Sequence, residues 1–478
     1  MRDAAVVGSG PNGLAAAVLL ARAGLQVDLF EASSTIGGGT RTQELIAPEH
    51  WHDVCSAVHP MAFASPFFRE FGLAEKLEWF TPEISYGNPL DGGRAGLAYH
   101  SLDRTVEGLG RDGAGYRRLM GPLVDRVQGV LDVALHPVLR IPRDPLAFTA
   151  LALGTLWQGS PAWNLGFHDQ EAPALLTGAA VHTVAPQPSL SSAAAGLVLT
   201  NLAHTVGWPI PRGGSAQISQ TMLDDFLAHG GTLHTDTPIT DLGELEEYRA
   251  TLLDVGPRGL LSLAGERLPD RYAAALRRYR YNNAACKVDF ILSGPVPWQN
   301  PELALAGTVH AGGSRAEMAL SERQVARGEH PTEPYVLLSQ PSSFDPSRAP
   351  AGRHVLWTYC HVPAGSTRDM RDAVVRQLER FAPGFRDLIV SSRATTAAQL
   401  AEYNANYVGG DFGTGVPDLR QLIARPTLSL APWNTPLAGT YLCSAAAPPG
   451  PGVHGMGGYH AATRALKEIF GLKRPSLR

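Results

Sequence analysis

The chain opens on a short apolar run, Ala4 to Val7, followed by glycines at 8, 10 and 13 and an Ala/Leu-rich stretch, Leu14 to Ala23, with helical spacing. Gly24 breaks that stretch, and Val27 to Phe30 reads as a second strand ending in Glu31. Strand, glycine-rich turn, helix, strand and acid in this order predict a dinucleotide-binding βαβ unit. Further along, the pattern predicts a helix over Ser215–His229, strands over Thr232–Ile239 and Ala250–Val255, and a helix near Met370–Phe381. Ala284 to Leu292 is a long alternating strand in which Lys287 and Asp289 share one face and Cys286, Val288 and Phe290 the other. Thr440–Ala445 reads as a strand and His460–Phe470 as a closing helix, with the Gly/Pro-rich turn Pro448–Gly458 between them.

One tract departs from this alternation. From Pro145 to Pro211 only Asp169 and Glu171 carry charge, and the 40 positions from Ala172 to Pro211 carry none. Prolines at 161, 173, 186, 188 and 209 make it a poor transmembrane span, which leaves three readings: buried core, an apolar ligand cavity, or a surface that dips into a membrane.

Composition narrows the classes. At 478 residues and 44% hydrophobic, the chain is long enough for two or more domains around a large core. A net charge of -4 removes the electrostatic basis for non-specific nucleic-acid binding, so DNA and RNA are not expected partners. Cys55, Cys286, Cys360 and Cys443 are too scattered for a redox pair or a zinc knuckle, and no HExxH, GxSxG or P-loop occurs, so no metal site is expected. An N-terminus running at once into a strand leaves no room for a secretory signal; the expected location is the cytoplasm, with membrane-peripheral contact through the apolar tract as the alternative. Lysine occurs at only four positions (76, 287, 467 and 473), so Lys287 in mid-strand draws notice.

Within Gly8-Ser9-Gly10-Pro11-Asn12-Gly13, the first glycine permits the tight turn, the second lets backbone approach a pyrophosphate, and the third lets helix pack on strand. The helix N-terminus then faces the phosphates. Glu31, 23 residues after Gly8 and followed by Ala32, can accept both hydroxyls of an unphosphorylated ribose.

Gly37, Gly38 and Gly39, followed by Arg41 and Thr42, give the sequence its resemblance to the flavin amine oxidase and phytoene desaturase superfamily, where a GG-containing segment after the acid adds contacts to FAD. The residue directly after the two glycines, an arginine in amine oxidases, is Gly39 here. The closing segment Tyr441-Leu442-Cys443-Ser444 and Pro449 to Met456 is similar to the last flavin segment of phytoene dehydrogenase-like proteins, with an uncharacterised bacterial branch nearest. Many relatives have an acid where this chain has Ser444. The resemblance implies flavin contacts from Ser444, Gly452, Val453, His454 and Met456, an adenine contact from Ile239, and a helix N-terminus facing the pyrimidine edge of the flavin. It also implies the fold: α/β, a Rossmann-like FAD-binding domain (1–75, 205–283 and 425–478) interleaved with a sheet-based substrate domain (76–204 and 284–424) that includes the apolar helical segment.

The strand ending in Pro295–Trp298 is similar to the amine oxidase strand whose lysine holds a water near flavin N5, and Lys287 matches that lysine; the alternative is a solvated pair with Asp289. His59 and His454 are the other two candidate catalytic or cavity residues among sixteen histidines. The expected activity is transfer of a hydride from an apolar, polyene or lipid-like substrate to FAD, with reoxidation by dioxygen or a quinone. A flavin amine oxidase and a flavin-bound protein without turnover are the alternatives; sequence leaves the oligomeric state open.

Overall fold

The computed structural model describes residues 2–478. Five strands, β1 (Arg2–Val7), β2 (Val27–Phe30), β3 (Thr232–His234), β4 (Tyr248–Leu253) and β5 (Thr440–Leu442), form a parallel sheet in the order β5-β4-β1-β2-β3. All-parallel pairing requires cover on both faces, and β1 and β4 are accordingly buried along their last four residues. Helix α1 (Pro11–Arg22), with proline in its first turn, packs on this sheet beside the closing helix α2 (Met456–Ile469). Their close approach depends on small residues: a Cβ at Gly458 would lie 1.8 Å from the Asn12 carbonyl oxygen, and one at Gly457 2.3 Å from that of Cys443.

The second sheet has seven strands in the order 389–395, 284–292, 354–362, 336–339, 306–311, 84–89 and 95–99. Its pairings are antiparallel except that between 306–311 and 84–89. Every residue of the 284–292 strand is buried: Cys286, Val288 and Phe290 join one apolar layer, and on the other face Lys287 and Asp289 pair with each other, Asp289 lying against His52. The structure is thus a mixed α/β fold with a Rossmann-like sheet and a larger, mostly antiparallel one. All four cysteines are free.

The uncharged tract divides. Helices 171–181 and 190–203 are largely buried, whereas helix 145–158 leaves Leu146, Phe148, Leu153 and Leu156 exposed. Among the described residues no helix is long and apolar enough to cross a membrane. Several expected boundaries shift: the strand expected over Ala250–Val255 runs from Tyr248 to Leu253, and the one expected over Thr440–Ala445 ends at Leu442. The strand starting at Thr232 stops at His234, since Asp236 takes a left-handed conformation and Pro238 follows. The closing helix starts at Met456, four residues before His460.

Candidate functional site

At the end of β1, Gly8 has φ +96° and turns the chain into α1. A Cβ on Gly13 would stand 1.9 Å from the Gly8 carbonyl oxygen, and one on Gly10 2.6 Å from Asp254 Oδ2, so backbone replaces side chains throughout this turn. Glu31 lies across from it, 7% exposed. Its Oε2 accepts from the Ser9 N–H (3.1 Å) and hydroxyl (2.5 Å), and its Oε1 from the Ser33 N–H (2.9 Å). The carboxylate is therefore fixed, by partners the pattern did not indicate, at the edge of the cavity described below.

Asp254, the residue after β4, is the principal site residue that sequence reasoning missed. Its Oδ2 accepts from the Gly13 N–H at 3.0 Å, and burial, reinforced by the charge of Glu31, pushes its carboxyl up to about 7. The signal was its place: an acid immediately following a buried parallel strand, as Glu31 follows β2.

Gly37 and Gly38 both have positive φ, and Gly38 reaches Gly10 closely enough that a Cβ would meet its Cα at 3.2 Å. Arg41 stacks over Tyr403 (5.4 Å to the ring centre), donates to the Thr35 carbonyl at 2.6 Å and lies 3.4 Å from Glu31. It braces the acid as well as lining the cavity. Thr42 is displaced from the expected role: its hydroxyl donates to Asp53 (2.7 Å), accepts from the Ala216 N–H (3.1 Å), and does not reach the cavity.

In the closing segment, Ser444, Gly452 and Val453 line the cavity, but His454 and Met456 do not. The Met456 N–H donates to His454 Nδ1 (3.0 Å), so Nε2 carries the ring hydrogen and donates to the Gly450 carbonyl (3.1 Å). Burial lowers this imidazole to about 4. His454 is a neutral brace for its own loop, which corrects the catalytic expectation. Gly457 N–H is likewise taken, by Asn12 Oδ1 at 3.1 Å, so the first two donors of α2 serve the fold. Ser444 donates to the Val255 carbonyl at 2.8 Å.

One continuous cavity of about 1350 Å³ joins these parts. It runs past Gly8, Gly10, Pro11, Asn12, Glu31, Ala32, Gly38, Gly39, Arg41 and Ile239, and Gly13 and Gly37 stand behind that wall. It continues to His59, to an apolar wall from the helical tract (Leu151, Val198, Leu199), and to Leu337, Trp357 and Tyr359 on the second sheet. Leu151 shares its helix with the exposed leucines, and Val138, on the wall, is itself half exposed.

Lys287 is not on that wall. It is 4% exposed and ion-paired with Asp289, whose other oxygen lies 3.4 Å from His52 Nδ1. The pair exists as the alternation allowed, but it is buried rather than solvated. Cys55, which does line the cavity, senses its charge: burial pushes the thiol up, and Tyr407 and Lys287 oppose that shift. His59 lines the cavity too; burial lowers it to about 4, so it is neutral at physiological pH. Among the described residues no cluster of side chains suits a metal ion.

Residues 6–71 match the family of NAD(P)-binding Rossmann-like domains. Across 98% of its length the chain is 24% identical to pyridine nucleotide-disulfide oxidoreductase domain-containing protein 2 of Rattus norvegicus, covering 94% of that protein, and to the Mus musculus protein to the same extent. Similar solved structures include an oxidoreductase from Methanosarcina mazei (TM-score 0.63, 14% identity, 98% of this chain and 100% of that one). Cyclohexylamine oxidase from Brevibacterium oxydans IH-35A (0.59, 16%, 98% of each chain) and putrescine oxidase bound to putrescine (0.58, 16%, 98% and 99%) are others. At these identities the likeness is one of fold: a mixed α/β architecture carrying a Rossmann-like domain.

Proposed function

We propose that the protein is an FAD-dependent oxidoreductase of the phytoene dehydrogenase-like kind, removing a hydride from a largely apolar substrate. The observation that carries this reading is the single cavity extending from the glycine turn and Glu31 to an apolar and aromatic chamber. At about 1350 Å³ it exceeds the roughly 300–1,000 Å³ of a pocket for one small ligand, leaving room for a flavin dinucleotide and a second molecule. When bound, FAD supplies the two-electron acceptor. The residues present fit it: the Gly8–Gly13 turn offers backbone where a Cβ cannot stand, and Glu31 is held ready at the ribose position. The helical wall is apolar, and the neutral His59 lines the chamber without adding charge. Among the described residues the Gly8–Gly13 turn is the one GxGxxG turn whose helix is followed by a parallel strand and an acid, and dioxygen or a quinone is the proposed electron acceptor.

The purified protein is expected to be yellow, with FAD released into the supernatant on acid precipitation and identified by its mass. Colour remaining in the pellet would show covalent attachment. A colourless protein unable to take up FAD would end the reading.

Asp254 gives this site a pH dependence. Its carboxyl is neutral below about 7 and charged above, beside the N-terminus of α1 where the pyrophosphate is placed. FAD affinity should therefore fall as pH rises through 7, by up to about tenfold per unit for one linked proton. Asp254→Asn should flatten the profile between pH 6 and 9. Equal pH dependence in the variant would remove Asp254 from the phosphate site.

A second reading, flavin amine oxidase, rests on the rings of Trp357, Tyr359 and Phe412 (centroids 5.3 and 5.5 Å apart), since perpendicular aromatic faces can enclose a cation. Anaerobic bleaching of the flavin by alkylamines, and not by polyenes or fatty substrates, would favour it.

A further inference from the structure

Eight of the eighteen large hydrophobic residues exposed on this protein fall between Val138 and Leu165, and they are ordered rather than scattered. Val138, Leu139 and Ile141, the last 90% exposed, belong to the loop that leads into helix 145–158. On that helix Leu146, Leu153 and Leu156 stand at i, i+7 and i+10, so they share one outward stripe, with Phe148 at its border. The inward stripe is Ala147, Leu151 and Gly154, packed on helices 113–124, 127–134 and 190–203. A surface helix of a globular protein ordinarily turns polar residues outward, opposite its buried face. This helix is apolar on both faces, and single exposed leucines need no explanation where a cluster over an adjoining loop and helix does.

The charges around the face say what covers it. From residue 118 to residue 165 there are four arginines, three aspartates and neither lysine nor glutamate. Asp132, its side chain only 10% exposed, is shared by Arg140 and Arg143, and Asp144 is turned onto the Leu146 and Ala147 N–H groups as the cap of the helix. Arg143 itself is 79% exposed. At the far end of the helix Arg118 lies over the Trp157 ring, 5.9 Å from its centre. Arginine thus marks both ends of the apolar stripe, in a chain whose net charge is -4. A second copy docked face to face about a two-fold axis would lay arginine ends against arginine ends. An anionic lipid surface offers phosphates to the arginines and hydrocarbon to the leucines between them.

The same segment also bounds the cavity. Val138 is 51% exposed and lines the cavity, and Leu151, on the inward stripe, lines it as well. We propose that the Val138–Ile141 loop and the outer stripe of helix 145–158 dock on the surface of an anionic lipid bilayer, which leaves the cavity one residue from the lipid phase at Val138. Docking is a property of this face alone; that the cavity draws its substrate from the bilayer rests on the apolar-chamber reading above.

The test is flotation of the purified protein with vesicles of phosphatidylcholine alone or with about one third phosphatidylglycerol, at about 0.1 M and about 1 M salt. The protein should float with both, several-fold more with the anionic vesicles, and high salt should remove that excess while leaving the binding to phosphatidylcholine. Leu146→Gln combined with Leu153→Gln and Leu156→Gln should cut flotation with either vesicle at least about tenfold, at unchanged circular dichroism and cofactor content, because side chains this exposed hold no part of the core. Ile141→Gln, in the loop, should cost about threefold and serves if the triple variant does not fold. No flotation, binding to both vesicles that high salt abolishes, or variants that float like the wild type would overturn the proposal. So would a dimer in sedimentation velocity that the triple variant dissociates, which would assign the face to a second copy. A colourless protein that floats fails the flavin reading alone, and a yellow protein that does not float fails this inference alone.

Discussion

Gly13→Ala is expected to yield no soluble yellow protein. The added methyl would have to occupy a point 1.9 Å from the carbonyl oxygen of Gly8 and 3.2 Å from Asp254 Cβ. Overpacking of a core ordinarily costs about 1–3 kcal/mol because side chains can rotate away, and more when they cannot. Here the obstacle is backbone on the turn that joins β1 to α1, so relief requires moving the helix off the sheet. Such a shift also unseats the Asp254–Gly13 hydrogen bond and the contact between α1 and α2. Gly108→Ala is the matched control: it sits at the end of helix 102–108 with open space where its Cβ would go, and there alanine should stabilise by up to about 0.5–1 kcal/mol. Soluble, FAD-containing Gly13→Ala protein would show that the turn can be rebuilt without the close contact.

What was legible in the sequence follows the range of the forces involved. The β1–turn–α1–β2 unit is local: a glycine turn, a helical run and a buried strand fix one another within thirty residues, and their boundaries fell within a few positions of expectation. The 284–292 strand was equally plain, because period-two alternation is a property of the segment alone. Burial of its polar face was not, since it depends on His52, more than two hundred residues away, lying against Asp289. The start of α2 was hidden by Gly457 and Gly458, poor helix formers that the helix tolerates because anything larger would strike Asn12 and Cys443. The ring of His454 folds back to satisfy Gly450 and Met456, an orientation set by loop geometry that no sequence pattern carries. Trp357 and Asp254 carried only the signal of their strand positions, and their value to the site comes from which cavity those strands border.

Lys287→Met is expected to destabilise the protein by roughly 3–5 kcal/mol, the usual consequence of removing one partner from a buried ion pair. Lys287 is 4% exposed and Asp289 fully buried, so deleting the ammonium leaves a carboxylate with no cation beside it except through His52, 3.4 Å from its other oxygen. Because Lys287 stands behind the cavity wall, the first effect falls on folding, and FAD content per folded molecule should stay near that of the wild type. A double substitution separates charge from shape. Lys287→Met with Asp289→Leu removes both ions and keeps comparable volume, and replacing a buried pair by apolar residues is often neutral or stabilising, so most of the lost stability should return. Urea unfolding followed by tryptophan fluorescence measures all three proteins. If the single variant unfolds within about 0.5 kcal/mol of wild type, the pair contributes nothing to the fold. Slowed flavin reduction in that equally stable variant would then return Lys287 to the reaction, acting on the cavity through Cys55 rather than from its wall.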